Sequence, residues 1–185
     1  GRLDPQVGGA SVPIHLTAFM EGRGRPDKSG PLDGAGRRSV YLEVRRNFLS
    51  PFMLAFDTPV PATTVGRRTL SNVPAQALAL MNDPLFHQQA RVWIARLFHE
   101  TPGADDATRL RWLFETAYGR PPTGRESSLS LASLAELRAL QAELPAKDHQ
   151  AGPDREAWVA LGHALLNAND FIYVNVTEPS ESDWL

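Results

Sequence analysis

Downstream of residue 71 the chain is cut into short amphipathic segments, each with its own start and stop signal. That punctuation favours a helical bundle for the second half. Ser71 or Asn72 can cap a first helix whose opening turn holds Pro74, where a missing N–H costs little, and Ala75 to Met81 is rich in Ala and Leu. Asp83 and Pro84 repeat the signal as N-cap and first helical residue. Phe86, Ala90, Trp93, Ile94 and Leu97 then share one face until Pro102 and Gly103. Asp105 or Asp106 opens a third helix, turning Leu110, Leu113, Phe114 and Ala117 inward and stopping at Gly119 in a left-handed cap. Thr123 and Glu126 have capping-box spacing and open a fourth helix to about Leu144, with Leu129, Leu134, Leu137, Leu140 and Leu144 available to the core. Asp154 caps a fifth, where Trp158, Leu161, Leu165 and Ala168 form a stripe. Phe171 to Val174 reads as a short strand or an extended anchor.

The first half is of another kind. Residues 1–36 hold eight of the fourteen glycines and four prolines, which is loop composition. Ser11 to Leu16 can form a short strand, confined to an edge by Pro13. Gly1, with no initiator Met and no basic-then-apolar leader after it, reads as the cut edge of a longer chain or of a removed signal. Val40, Leu42 and Val44 alternate with Tyr41, Glu43 and Arg45, the period of a half-buried strand, with a helix as the competing reading. Phe48 to Phe56 is apolar and interrupted by Pro51; Pro59 and Pro61 impose extended backbone. The expected fold is mainly α: a five-helix bundle-like C-terminal part, an irregular Gly/Pro-rich N-terminal arm and one or two short strands. The expected boundaries are an arm or tail of an upstream domain over 1–36, a mainly helical domain over 37–176 and an acidic tail over 177–185.

Composition removes several functions. The 19 Lys and Arg against 21 Asp and Glu leave a net charge of −2, too little positive field for a general nucleic-acid binder. No stretch approaches the roughly 20 apolar residues that cross a bilayer. Cysteine is absent, which excludes disulfides, thiolate metal sites, a Cys nucleophile and covalent haem attachment within these residues. The five histidines (His15, His87, His99, His149, His163) include no i, i+3 or i+4 pair, so no helix-borne metal site is expected. Neither a phosphate-binding Gly loop nor a Gly-x-Ser-x-Gly elbow is present.

What chemistry the residues do offer lies between 37 and 82. Arg37, Arg38, Arg45, Arg46, Arg67 and Arg68 face only Glu43 and Asp57 over residues 37–70. Arg45, Arg46, Arg67 and Arg68 can converge on a carboxylate or sulfate, since guanidinium presents a planar fork of donors. The alternative is that they lock loops to carbonyls or to Asp57. Gln76 and Asn82 bracket the Ala/Leu helix and either cap it or bind the preceding loop.

A set of motifs carries a resemblance. Arg37 to Tyr41, Val44 to Leu49, Ala55 to Pro59, Arg67-Arg68 and Asn72 to Pro84 form its most specific part. Gly1-Arg-Leu-Asp-Pro5, Gly8-Gly9, Tyr118-Gly-Arg-Pro-Pro122 with Glu126, and Ala164 to Val174 extend it. Together they resemble a planctomycete-specific C-terminal domain of unknown function, found in large exported proteins that often also carry a cytochrome-c-like domain. The resemblance implies an extracytoplasmic location, upstream domains of the same chain as partners, and haem in another domain with no cofactor in these residues. It supplies no catalytic residues. Three readings follow: a structural or docking module that contacts upstream domains, a protein partner or polysaccharide; part of a polysaccharide-acting hydrolase with an Arg-rich anion site; or an accessory to a haem-linked redox enzyme, with Trp93, Trp112, Trp158 or Tyr41 facing the haem domain. The first is preferred, because nearly every helical feature has a packing reason.

Overall fold

Local capping decides where several helices of this chain begin. A computed structural model describes residues 1–61, 64, 66, 74–145 and 151–173. The helices are α1 (Pro51–Ala55), α2 (Pro74–Asn82), α3 (Pro84–Glu100), α4 (Asp106–Tyr118), α5 (Gly124–Glu143), α6 (Pro153–Leu166) and α7 (Asn169–Ile172). The mainly helical expectation is met, and all five long helices form. The chain divides into two compact units, Gly1–His87 and Gln88–Leu185, so the division falls inside α3. Ser71, Asn72, His149, Val174 and the 177–185 tail lie outside the described residues.

In the first unit, β-structure among the described residues is limited to isolated bridges: Asp4 with Arg37, Val12 with Leu42, and Arg45 with Phe48. The half-buried strand expected at Val40 to Arg45 does not form. Ser39–Tyr41 is a 3-10 turn, and Val40 and Val44 are exposed. The cause lies in the partner strand. Val12 bonds Tyr41 and Glu43, but at the next position the Ile14 carbonyl turns to the Gly30 N–H (2.8 Å), so the ladder stops after one pair. Before it, Gly34, Ala35 and Gly36 run with φ of 59°, 54° and 73°, a left-handed turn started by Asp33, whose carboxylate accepts the Ala35 N–H. A Cβ on Gly36 would lie 2.3 Å from the Arg2 carbonyl oxygen. Arg37 closes this region: it stacks on Tyr41 (4.2 Å), donates to the Gly8 carbonyl (2.7 Å) and faces Asp4 (3.6 Å).

Pro51 does not interrupt the apolar run; it starts a helix. Its missing N–H falls where none is needed, and the Ser50 hydroxyl accepts the Met53 N–H. Phe52 then meets Phe56 and Phe86, at 4.9 and 5.3 Å between ring centres.

In the second unit the caps are those expected for α4 and α5. Asp105 accepts the Thr108 N–H, Gly119 is left-handed (φ 69°), and Thr123 and Glu126 complete a reciprocal box. Asp83 likewise accepts the Leu85 N–H ahead of α3. The core joins Ile94 and Leu97 of α3, Leu110, Leu113 and Phe114 of α4, Leu134 of α5, and Ala157, Trp158, Leu161 and Leu165 of α6. Thus α3 to α6 share one core, while α2 belongs to the first unit. Three local expectations are corrected. Gly152 is the N-cap of α6, and Asp154 sits in its first turn. Phe171 and Ile172 lie in the short α7, with extended backbone only at Tyr173. On α5 only Leu134 is buried, with Leu131 and Leu137 packed beside it; Leu129 and Leu140 face outward, and Leu144 is the exposed C-cap.

Leu134→Ala should lower unfolding free energy by about 2–5 kcal/mol, whereas Leu140→Ala should change it by under about 0.5 kcal/mol. Urea titration followed by tryptophan fluorescence separates the two. Gly36→Ala, which combines positive φ with a backbone clash, should cost the first unit about 2 kcal/mol or more in the same assay.

Candidate functional site

The residues singled out by sequence fall in the first unit. Arg45 pairs with Glu43 at 2.9 Å, and Arg46 is exposed on the tight turn closed by the Phe48 N–H to the Arg45 carbonyl. Asp57 ends α1 with a left-handed backbone (φ 58°), a conformation Asp tolerates better than most residues, and its N–H donates to the Leu54 carbonyl. Gln76 is half-buried in the first turn of α2. Asn82 donates from Nδ2 to the Leu78 carbonyl at 2.9 Å, a bond within its own helix. Arg67 and Arg68 lie outside the described residues.

The densest polar cluster is elsewhere, where α4, α5 and α7 meet. Arg120 follows the α4 cap and bonds Glu126 through two nitrogens, at 2.9 and 2.7 Å, and also bonds Asp170 of α7. Glu126 Oε2 additionally accepts the Thr123 N–H at 2.7 Å, so one carboxylate both caps α5 and holds the arginine. Beneath it, the Tyr118 ring stands edge-on to Phe114 at 5.1 Å and its hydroxyl donates to the Leu165 carbonyl at 2.9 Å. Hydrogen bonds from Arg120 hold Glu126 down at about 2. Burial, and then the Asp170 charge, push Tyr118 up to about 12. Hydrogen bonds from Glu126 and Asp170 hold the Arg120 proton more firmly still. These bonds tie the start of α5 and α7 to the chain that leaves α4.

A second arginine repeats the device. Arg138 of α5 grips both oxygens of Asp106 and donates from Nε to Asp154 at 2.7 Å, tying α4, α5 and α6 together. Its hydrogen bonds keep Asp106 below the usual carboxylate range. Arg91 reaches the buried Glu156 at 2.7 Å. The three described tryptophans are engaged rather than displayed. Trp158 is fully buried, while Trp93 and Trp112 are half-buried and donate to Thr116 and Glu100. Sequence reasoning missed Arg120, Asp170 and Arg138. For Arg120 a signal existed, since the Tyr118-Gly-Arg stretch lies six residues before the capping-box Glu126. Arg138 and Asp106 are 32 residues apart, and no periodicity links them.

Outside these clamps, α5 turns Leu129 and Leu140 to solvent, both 59% exposed, and its extended C-cap Leu144 is 47% exposed. At 100° per residue Leu129 and Leu140 share a stripe with Glu136, which lies between them. From Leu129 to Leu140 the stripe runs about 16 Å. Among the described residues no group of three or more His, Asp or Glu is placed to hold a metal ion, and no helix is long and apolar enough to cross a membrane.

Glu126 titrates near 2 when folded and near its ordinary 4.5 when unfolded, so its contribution is complete above about pH 4.5 and drains as pH falls toward 2. Urea midpoints of the natural chain should fall across that window. Those of Glu126→Gln, which keeps the capping acceptor but not the titration, should fall less.

Neither a curated protein nor a solved structure matches the chain. A family model described as "Protein of unknown function (DUF1553)", PSD1, matches residues 1–134, well over half of the 185 residues. The chain therefore belongs to the PSD1 (DUF1553) family of proteins of unknown function.

Proposed function

We propose that this chain is a non-catalytic docking module whose α5 face packs against another part of a larger exported protein. The observation carrying this reading is the Leu129–Leu140 stripe, two large apolar side chains left in water on a helix whose other face is in the core, with the exposed C-cap Leu144 beyond them. Glu136 in the stripe narrows the partner. A second copy laid along it in register, parallel or antiparallel, sets Glu136 against Glu136, and like charges at a contact centre are unfavourable. The matching surface is a different segment, apolar with a Lys or Arg at its middle. Resemblance to a domain of large exported proteins supports upstream domains as its source and an extracytoplasmic setting. The internal carboxylate–arginine clamps support a scaffolding role, since they spend charge on holding helices together.

Photo-crosslinking tests this. With p-benzoylphenylalanine replacing Leu140 in the natural protein, irradiation should give one dominant adduct, and mass spectrometry should map it to an apolar segment bearing a basic residue. Glu136→Lys should cut its yield several-fold. The same probe at the solvated Arg111 is the reference; equal adducts from both positions, or none from Leu140, overturn the reading.

A further inference from the structure

The first unit carries a second surface, independent of the α5 stripe. Residues 14–30 form a loop whose two ends are pinned. The Gly30 N–H donates to the Ile14 carbonyl (2.8 Å), the Leu16 N–H donates to Ser29 Oγ (2.8 Å), and His15 donates from Nδ1 to the Gly30 carbonyl (3.1 Å). A Cβ on Gly30 would overlap the Pro13 carbonyl, so the two legs meet backbone to backbone. Ile14 at the neck is buried. Compact surface loops with closed ends are frequently functional.

The tip is fixed as well. Arg25 folds back and donates to the carbonyls of Met20 and Thr17, and the Met20 N–H donates to the Thr17 carbonyl. Arg25 thus holds the backbone on either side of Phe19, which is 96% exposed. Gly22 lies against the buried ring of Phe48, which brings the loop beside the Arg45–Phe48 turn and its exposed Arg46. Arg23, Arg25 and Lys28 are exposed in the same loop and Arg46 on that neighbouring turn, four cations against the exposed Glu21 and Asp27.

We propose that this loop is a recognition finger: Phe19 enters an apolar pocket on another folded protein, and the basic collar meets carboxylates on the pocket's rim. The pattern is that of an interface anchor, one exposed aromatic with charged residues in its loop, whose backbone is tied together before binding so that little freedom is lost. A lipid surface matches less well. One ring buries far less hydrocarbon than a myristoyl chain, which by itself holds a membrane only marginally. A second copy matches less well too, because an isologous contact would set one basic collar against the other.

The probe is p-benzoylphenylalanine in place of Phe19, irradiated in cells producing the full natural chain, with the same residue at the exposed Leu3 as reference. One protein adduct specific to position 19 is expected. That protein, purified, should bind the natural chain at least about tenfold more tightly than Phe19→Ala, with Phe19→Leu in between. Arg25→Ala, which frees the loop but keeps Phe19, should weaken binding several-fold with an unchanged melting midpoint. No position-specific adduct, an adduct to phospholipid or to a second copy, or equal affinity for Phe19→Ala and the natural chain would each overturn the proposal. Phe19 is fully solvated, so its replacement leaves the fold intact and these results read recognition alone.

Discussion

The second unit is organised by the burial of α6. Glu156, Ala157, Trp158, Leu161, Gly162, Leu165 and Leu166 are buried in a helix of 14 residues, so apolar surface covers more than one of its sides. A helix of that kind has to be surrounded. α3, α4 and α5 supply the surroundings, and Gly162 lets α3 approach until a Cβ there would stand 3.1 Å from Ile94 Cδ1. Glu156 is the one carboxylate buried in this helix, and Arg91 neutralises it. The remaining polar architecture is peripheral: Arg138 and Arg120 fasten helix ends around the core rather than through it.

Sequence made the helices legible because capping is local. Asp83, Asp105, Gly119 and the Thr123–Glu126 pair act within a few residues of themselves, and each does what its type and spacing dictate. Failures came where the deciding atom is distant. Alternation at Val40 to Val44 is a sound strand signal, but a strand needs a continuing partner, and Ile14 leaves for Gly30. Pro51 can end one element or begin another; Ser50 beside it selects the second. On α5 five leucines were available and only a helix-wide view of what packs where divides them, placing Leu134 inside and Leu129 and Leu140 outside. The arginine clamps span 32 and 50 residues of sequence, beyond any pattern a linear reading can hold. The arginine pairs that do stand out in sequence serve, at Arg37 and Arg45, contacts inside their own unit.

Charge and apolar surface are thus used in an inverted way. Ionic groups that might serve chemistry are occupied with one another in the second unit, while large apolar side chains that might fill a core stand in solvent on α5 and at Phe19. That distribution is expected of a part that completes itself against something else. It gives each unit its own outward feature: a long flat stripe in one, a single projecting ring in the other.

The bond from Arg120 to Asp170 also fastens α7 to the rest of its unit, with both partners more than a third exposed. Attraction between charges so open to solvent fades as the Debye length shrinks, from about 10 Å in 0.1 M salt to about 3 Å in 1 M. The neutral bond from Tyr118 to the Leu165 carbonyl, just ahead of α7, has no such dependence. In brine, then, this short helix keeps its neutral neighbour and loses its ionic tether. The salinity of the medium sets how firmly α7 is moored.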